Sequence, residues 1–126
     1  MHTGTHHQMS QEMQDCISNC MTCHAICLET ITHCLQMGGE HASAKHIGLL
    51  QDCAQICITS ADFMLRMSDY HPQTCAACAA ICEACAQECE RMADGNDFMQ
   101  RCADACRRCA ESCRRMASGS TTSASM

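Results

Sequence analysis

The sequence predicts an all-α protein, an antiparallel up-down-up-down four-helix bundle with a cysteine-lined core. Four segments place sulfur-containing or apolar residues three or four positions apart, which is the spacing of one continuous face of a helix. The connections between these segments are short, as is typical of antiparallel neighbours in a bundle. The chain has 16 cysteines and 11 methionines, but only two phenylalanines, one tyrosine and no tryptophan. Sulfur therefore takes the place of the usual large hydrophobic residues.

A chain of 126 residues suits one domain. We expect a flexible N-terminal tail at residues 1–8 and a four-helix bundle over residues 9–117. The Ser- and Thr-rich residues 118–126 are predicted to be a disordered C-terminal tail. The predicted helices cover about 9–37, 44–68, 72–93 and 97–117.

The first helix carries the longest face. Its inward positions are Met9, Met13, Cys16, Cys20, Cys23, Cys27, Thr30, Cys34 and Met37. Gly38 and Gly39 follow, where a left-handed residue can end the helix. A second stripe of apolar residues lies beside this face on the helix surface and is expected to pack against neighbouring helices: Ile17, Met21, Leu28, Ile31 and Leu35.

The second helix is predicted to begin at Ser43, a good N-cap residue. It has the fewest cysteines, and its face reads His46, Leu50, Cys53, Cys57, Ser60, Met64 and Met67. Pro72 fits the first turn of the third helix.

The third helix shows the pattern most clearly, because its five cysteines step by three, four, three and four. They are Cys75, Cys78, Cys82, Cys85 and Cys89. Alanine, glutamate and glutamine fill most of the positions between them, and these are strong helix formers. The fourth helix has an arginine-rich outer face and an inward face of Met99, Cys102, Cys106, Cys109, Cys113 and Met116.

All 16 cysteines thus lie on inward faces and are the predicted metal ligands. Antiparallel order collects methionine and histidine at the two ends of the bundle, where we expect candidate rim or entry ligands. One end has Met9, Met13, Met64, Met67, His71 and Met116, and the other has Met37, His46, Met92 and Met99. His24 and His33 lie off these faces and are predicted to be packing or surface residues.

Several roles for the cysteines fit the pattern poorly. A purely structural core would mix cysteine with leucine. Disulfides within one helix would close tiny loops and constrain the unfolded chain little. A redox enzyme would use one CxxC pair, and iron–sulfur ligands come from compact loop motifs. A di-iron bundle needs inward carboxylates and Glu-x-x-His, whereas Glu29 and His33 are four apart.

Binding of many soft metal ions fits better. Thiolate and thioether ligands select Cu(I), and neighbours three or four apart on a helix have Cβ atoms roughly 5–6 Å apart. If each thiol exchanges its proton for one Cu(I), the interior stays neutral, with a limit of about 16 ions. A zinc or cadmium buffer of metallothionein type and a thiol redox reservoir remain alternatives. We expect storage and no catalytic residues.

The repeated CxxxC and CxxC pairs resemble those of the bacterial copper storage proteins of the cytosolic type, over about residues 9–117. The pairs are Cys16 with Cys20, Cys23 with Cys27, Cys53 with Cys57, Cys75 with Cys78, Cys82 with Cys85, and the run Cys102, Cys106, Cys109 and Cys113. The resemblance implies a four-helix bundle filled with Cu(I), a homotetramer and a storage role. Thr30 and Ser60 depart from the pattern, which predicts interrupted or weaker binding there.

Charge and hydropathy bear on partners and location. The net charge of −6 argues against a nucleic-acid partner. No segment has the length of a membrane span or the pattern of a signal peptide, so we expect a cytoplasmic protein with reduced thiols and no membrane association. No pattern identifies a copper chaperone or other copper donor.

Overall fold

A computed structural model of the protein describes residues 9–124, with side chains described for 9–118. Within this range the chain forms α1 (Gln11–Met37), a 3₁₀ helix (Gly39–Ala42), α2 (Ala44–Leu65), α3 (His71–Arg91) and α4 (Asp97–Ala124). Each α-helix packs against two others, in the cyclic order α1, α2, α3, α4. This is the ring of an up-down-up-down bundle, and the predicted fold class is confirmed.

Hydrogen bonds at the chain turns explain where α1 and α2 begin and where α1 ends. The Ser10 hydroxyl accepts the Met13 N–H, and the Ser43 hydroxyl accepts the His46 N–H, as expected of N-cap residues. At the end of α1, Gly38 adopts a φ of 75°, in the left-handed region that glycine tolerates, and its N–H donates to the Cys34 carbonyl.

The ends of α2 and α4 differ most from the predicted ones. α2 ends at Leu65, before the predicted residue 68, because Met67 adopts a φ of 57° and turns the chain out of the helix. α4 continues to Ala124, through the first part of the predicted C-terminal tail. No proline follows Ala117, and adding a residue to an existing helix costs far less than starting one. The predicted tail at residues 1–8 and residues 125–126 lie outside the described range.

Cysteine side chains fill the centre of the bundle. All 16 cysteines are free thiols, and each is at most 1% exposed. Small residues surround them, including the buried alanines Ala79, Ala86, Ala103 and Ala110 on α3 and α4. The absence of bulky side chains at these positions lets the helices approach closely enough for sulfurs of different helices to meet.

The second stripe of α1 was predicted to pack against neighbouring helices, and for most of its length this is wrong. Ile17 is buried and Ile31 packs partly against the core, but Met21, Leu28 and Leu35 are 48%, 47% and 55% exposed. These three residues lie seven positions apart, so they form one apolar strip on the outer surface of α1. None of the described helices is both long and apolar enough to cross a membrane.

We expect the reduced, metal-free protein to keep its helices, because protonated cysteines pack as small hydrophobic residues and need no metal to be buried. The measurement is far-UV circular dichroism of the reduced protein before and after metal loading. A mostly coil spectrum without metal would show that metal drives folding, as in zinc-dependent domains.

Candidate metal centre

The thiols of different helices meet along the bundle axis. In the middle of the bundle, the Cys23 Sγ of α1 lies 3.9 Å from the Cys53 Sγ of α2 and 3.6 Å from the Cys106 Sγ of α4. The Cys53 Sγ is in turn 3.6 Å from the Cys82 Sγ of α3. One level of the bundle therefore brings together a sulfur from every helix.

The sulfurs form groups of four in which all members lie within 4.8 Å of one another. Five of these groups are Cys20, Cys78, Cys109 and Cys113; Cys57, Cys78, Cys82 and Cys109; Cys23, Cys53, Cys57 and Cys82; Cys23, Cys27, Cys53 and Cys106; and Cys27, Cys85, Cys102 and Cys106. Each group shares members with the next. The sulfurs are thus one continuous column, which we call the thiol column, and not a set of separate sites.

Shared ligands decide what the thiol column can hold. A structural zinc site is closed by four ligands of its own, and these five groups have only twelve cysteines between them. A soft ion that needs fewer ligands can instead use sulfurs that bridge to the ion above or below. The arrangement suits many closely spaced ions of low coordination number.

Burial keeps the metal-free thiols protonated at several points of the column. Burial raises the pKa of Cys34 to about 11. Contacts with neighbouring sulfurs, together with burial, also raise the pKa of Cys106 and Cys109. A metal ion that enters must therefore displace protons, and its affinity rises with pH.

Thr30 and Ser60, the two inward positions that have a hydroxyl group, are both fully buried. Ser60 Oγ lies 3.4 Å from Cys75 Sγ, so the serine stands where a further thiol would extend the column. The Thr30 hydroxyl donates to the carbonyl of Ile26 at 2.7 Å, which turns it away from a role as ligand.

One end of the column contains a histidine. The Nε2 of His46 lies 3.3 Å from the Cys34 Sγ, and its Nδ1 lies 3.7 Å from the Glu88 carboxylate. His46 is 1% exposed, and burial lowers its pKa, although Glu88 opposes this effect. The imidazole is therefore neutral near pH 7 and can offer a lone pair. Sequence analysis missed Glu88, whose only signal is its place next to Cys89.

The predicted rim residues differ in burial. Six are buried at the ends of the column: His46, Met13, Met64, Met92, Met99 and Met116. Met37 and Met67 are about half exposed, so the prediction that they continue the inward faces is wrong. His71 is partly buried, with its Nδ1 at 2.9 Å from the Ser68 carbonyl oxygen.

Of the two histidines predicted to lie off the inward faces, His24 contacts the Ala54 carbonyl through Nδ1 at 2.8 Å. His33 stacks on Phe98 and is hydrogen-bonded to Asn96. Neither is hydrogen-bonded to a cysteine sulfur in these contacts.

Fold and site together define a class of protein: a helical bundle whose interior is a column of shared thiol ligands for soft metal ions. The chain belongs to the copper storage protein family, whose sequence model matches residues 9–118.

Solved structures agree with this assignment. A protein from Nitrosospira multiformis is 46% identical, with a TM-score of 0.80 over 86% of this chain and 96% of its own. The Cu(I)-bound copper storage protein BsCsp3 of Bacillus subtilis is 39% identical, with a TM-score of 0.78 over 85% and 99%. A cytosolic copper storage protein from Streptomyces lividans, with five coppers, is 30% identical, with a TM-score of 0.78 over 86% of this chain and 94% of its own.

Proposed function

We propose that this protein stores Cu(I) in the thiol column, on the order of 16 ions per chain when each thiolate takes one ion. The observation that carries the proposal is the overlap between the four-sulfur groups, because shared thiolates can bridge closely spaced Cu(I) ions. The Cu(I)-bound relative from Bacillus subtilis supports it. The number of ions makes storage a better description than catalysis.

Charge favours copper over zinc. An unpaired buried thiolate is strongly unfavourable in an apolar interior. Exchange of one proton for one Cu(I) leaves the column neutral, whereas four thiolates around one Zn²⁺ leave two negative charges at each site. Repeated along a buried axis, that charge would oppose filling. The same argument disfavours a cadmium buffer.

A thiol redox reservoir is the other alternative. The 3.5 Å contacts between Cys16 and Cys113 and between Cys57 and Cys82 join different helices. Oxidation would therefore cross-link the bundle and remove metal ligands in pairs.

We propose that the protein works in the cytosol, where thiols stay reduced. The Streptomyces lividans relative is described as cytosolic.

A competition experiment tests this function. Under anaerobic conditions and with a competing chelator, we expect the reduced protein to bind on the order of 16 Cu(I). Cu(I) binding near pH 7 should release protons, because burial favours the protonated form of the thiols. Zn(II) should reach a far lower stoichiometry.

Two single-atom changes are the matched variants for this titration. Ser60→Cys should raise the Cu(I) capacity by about one ion, since the new sulfur would stand beside Cys75. Cys75→Ser should lower it by about one. Equal loading with Zn(II) and Cu(I), or a capacity that neither variant changes, would contradict storage of Cu(I) in the column.

We also propose that His46 and the buried rim methionines admit copper, because they offer imidazole and thioether ligands where the column meets the bundle ends. Two variants identify the end that is used. If the double variant His46→Ala/Met99→Leu loads Cu(I) more slowly than the wild type, copper enters at the His46 end. If the double variant Met64→Leu/Met116→Leu loads Cu(I) more slowly than the wild type, copper enters at the opposite end. Met21→Leu, on the outer surface of α1, is the control, and unchanged rates in both pairs would contradict a role in entry.

The family resemblance implies a homotetramer, and we propose that the apolar strip of Met21, Leu28 and Leu35 is covered in that assembly. Such strips on a soluble protein commonly mark an interface. Leu28→Glu should therefore lower the molar mass measured by sedimentation. Ala80→Glu, a change at an exposed position on α3, should not. A Leu28→Glu protein with unchanged mass would show that the strip is not part of the interface.

A further inference from the structure

Three thiols from three different helices form a triangle in the middle of the thiol column. Its corners are the Sγ atoms of Cys23 on α1, Cys53 on α2 and Cys106 on α4. The sides measure 3.9 Å between Cys23 and Cys53, 3.6 Å between Cys23 and Cys106, and 3.8 Å between Cys53 and Cys106. The triangle, which we call the first triangle, is therefore nearly equilateral.

A second triangle has the same shape and shares no cysteine with the first. Its corners are the Sγ atoms of Cys57 on α2, Cys78 on α3 and Cys109 on α4, and its sides measure 3.8, 3.8 and 3.7 Å. All six thiols of the two triangles are fully buried. Because each corner comes from a different helix, the packing of the bundle sets the spacing before any ligand is bound.

The sides of the triangles suit one atom bound to three sulfurs. With bonds to sulfur of about 2.3 Å, as in zinc thiolate sites, two sulfurs on opposite sides of a linear ion lie about 4.6 Å apart. With the same bond length, three sulfurs lie about 4.0 Å apart around a flat three-coordinate atom and about 3.3 Å apart in a right-angled pyramid. The observed sides of 3.6–3.9 Å fall between the last two values. The thiols are thus already close to three-coordinate geometry.

Burial limits which atom can take three thiolates for itself. An uncompensated charge is strongly unfavourable in this interior. One Cu(I) with three thiolates of its own would leave two negative charges, and one Zn²⁺ would leave one. An ion that shares its thiolates one for one must carry a single charge, whereas an atom that takes three must be trivalent. Trivalent arsenic meets this requirement, since it is soft and binds three thiolates in a pyramid.

We propose that the thiol column also binds trivalent arsenic, with one arsenic atom on each of the two triangles. The reactant is arsenous acid, As(OH)₃, which is uncharged at neutral pH and so enters an apolar interior at lower cost than an ion. Each As–O bond is replaced by an As–S bond, and each departing hydroxide takes the proton of the thiol that replaces it. Three waters leave per arsenic, no oxidation state changes, and the product is neutral.

Preorganisation gives the triangles an advantage over a small monothiol in solution. Three separate monothiol molecules lose their translational freedom when they gather around one arsenic atom. The six thiols of the triangles are already held at the required spacing by the packed helices. Bound arsenic should therefore stay on the protein when a monothiol competes for it. The inference goes beyond copper storage, because it depends only on the spacing and burial of the thiols.

The test is an anaerobic titration of the reduced, full-length protein with arsenite in the presence of excess glutathione, followed by native mass spectrometry. We expect at least two arsenic atoms per chain. Each should add the mass of one arsenic atom less three hydrogens, because three thiols lose their protons. An arsenic atom held by only two thiolates would retain a hydroxyl group. Adducts that retain this group, or loss of all arsenic to glutathione, overturn the inference.

Anomalous diffraction from arsenite-soaked crystals locates the arsenic, and we expect one peak at each triangle. Cys106→Ser should remove the peak at the first triangle alone, and Cys109→Ser the peak at the second alone. Cys34→Ser is the matched control, because Cys34 is a buried thiol that belongs to neither triangle. Peaks elsewhere, or peaks that neither variant changes, contradict the placement. Thermal unfolding shows whether each variant keeps the wild-type fold, and the wild-type mass spectrum gives a result that needs no variant.

A competition between copper and arsenic separates this inference from the proposed function. Protein saturated with Cu(I) should take up no arsenic, because the same thiols are occupied. Arsenic uptake that Cu(I) does not affect would place the arsenic outside the column and overturn the inference. A protein that binds few Cu(I) ions but two arsenic atoms contradicts copper storage alone. A protein that fills with Cu(I) but takes no arsenic when metal-free contradicts the arsenic sites alone.

Discussion

The structure depends on keeping a buried interior neutral while filling it with ionisable groups. Sixteen thiols in one small bundle are tolerable only when each one carries a proton or shares a monovalent cation, because an unpaired buried charge is far too costly. Burial favours the protonated state, as the raised pKa of Cys34 illustrates. The same low polarity that protects the thiols from ionisation selects an ion of single charge.

The composition serves this requirement at the level of packing. Sulfurs of different helices approach to 3.5–3.9 Å. Cys57, for example, lies 3.5 Å from Cys82 and 3.7 Å from Cys109. Large aromatic side chains would hold the helices apart, and none of the buried residues described within 9–118 is Phe, Tyr or Trp. Buried alanines behind the cysteines of α3 and α4 allow the close approach. Two of the largest fully buried side chains, Leu50 and Met64, lie on α2, which has only two cysteines.

The two ends of the bundle offer different chemistry. The end formed by the start of α2 joins a neutral imidazole, a thiol and a carboxylate in the contacts of His46 with Cys34 and Glu88. His33 and Met37, which both contact Asn96, lie at the same end of the bundle, near the end of α1. At the opposite end, Met13, Met64 and Met116 are buried beside the last cysteines, and Ser60 stands next to Cys75. Thioethers there cover the column without adding a group that titrates near pH 7.

The sequence alone determined the fold class, the four helices and the inward direction of every cysteine, because these follow from local periodicity. It also located the caps at Ser43 and Gly38, since capping depends on a few adjacent residues. Only the tertiary structure decided which sulfurs of different helices share a group, because that depends on the rotation and relative height of helices far apart in sequence.

The same reason explains the errors. Whether Leu28 packs inward or remains on the surface depends on a few tens of degrees of helix rotation, and a seven-residue repeat does not fix that angle. Met67 was lost from the inward face because one left-handed residue ended α2 early. Asn96, which caps the start of α4, contacts both His33 and Met37 of α1, and the spacing of residues within α1 could not reveal that contact.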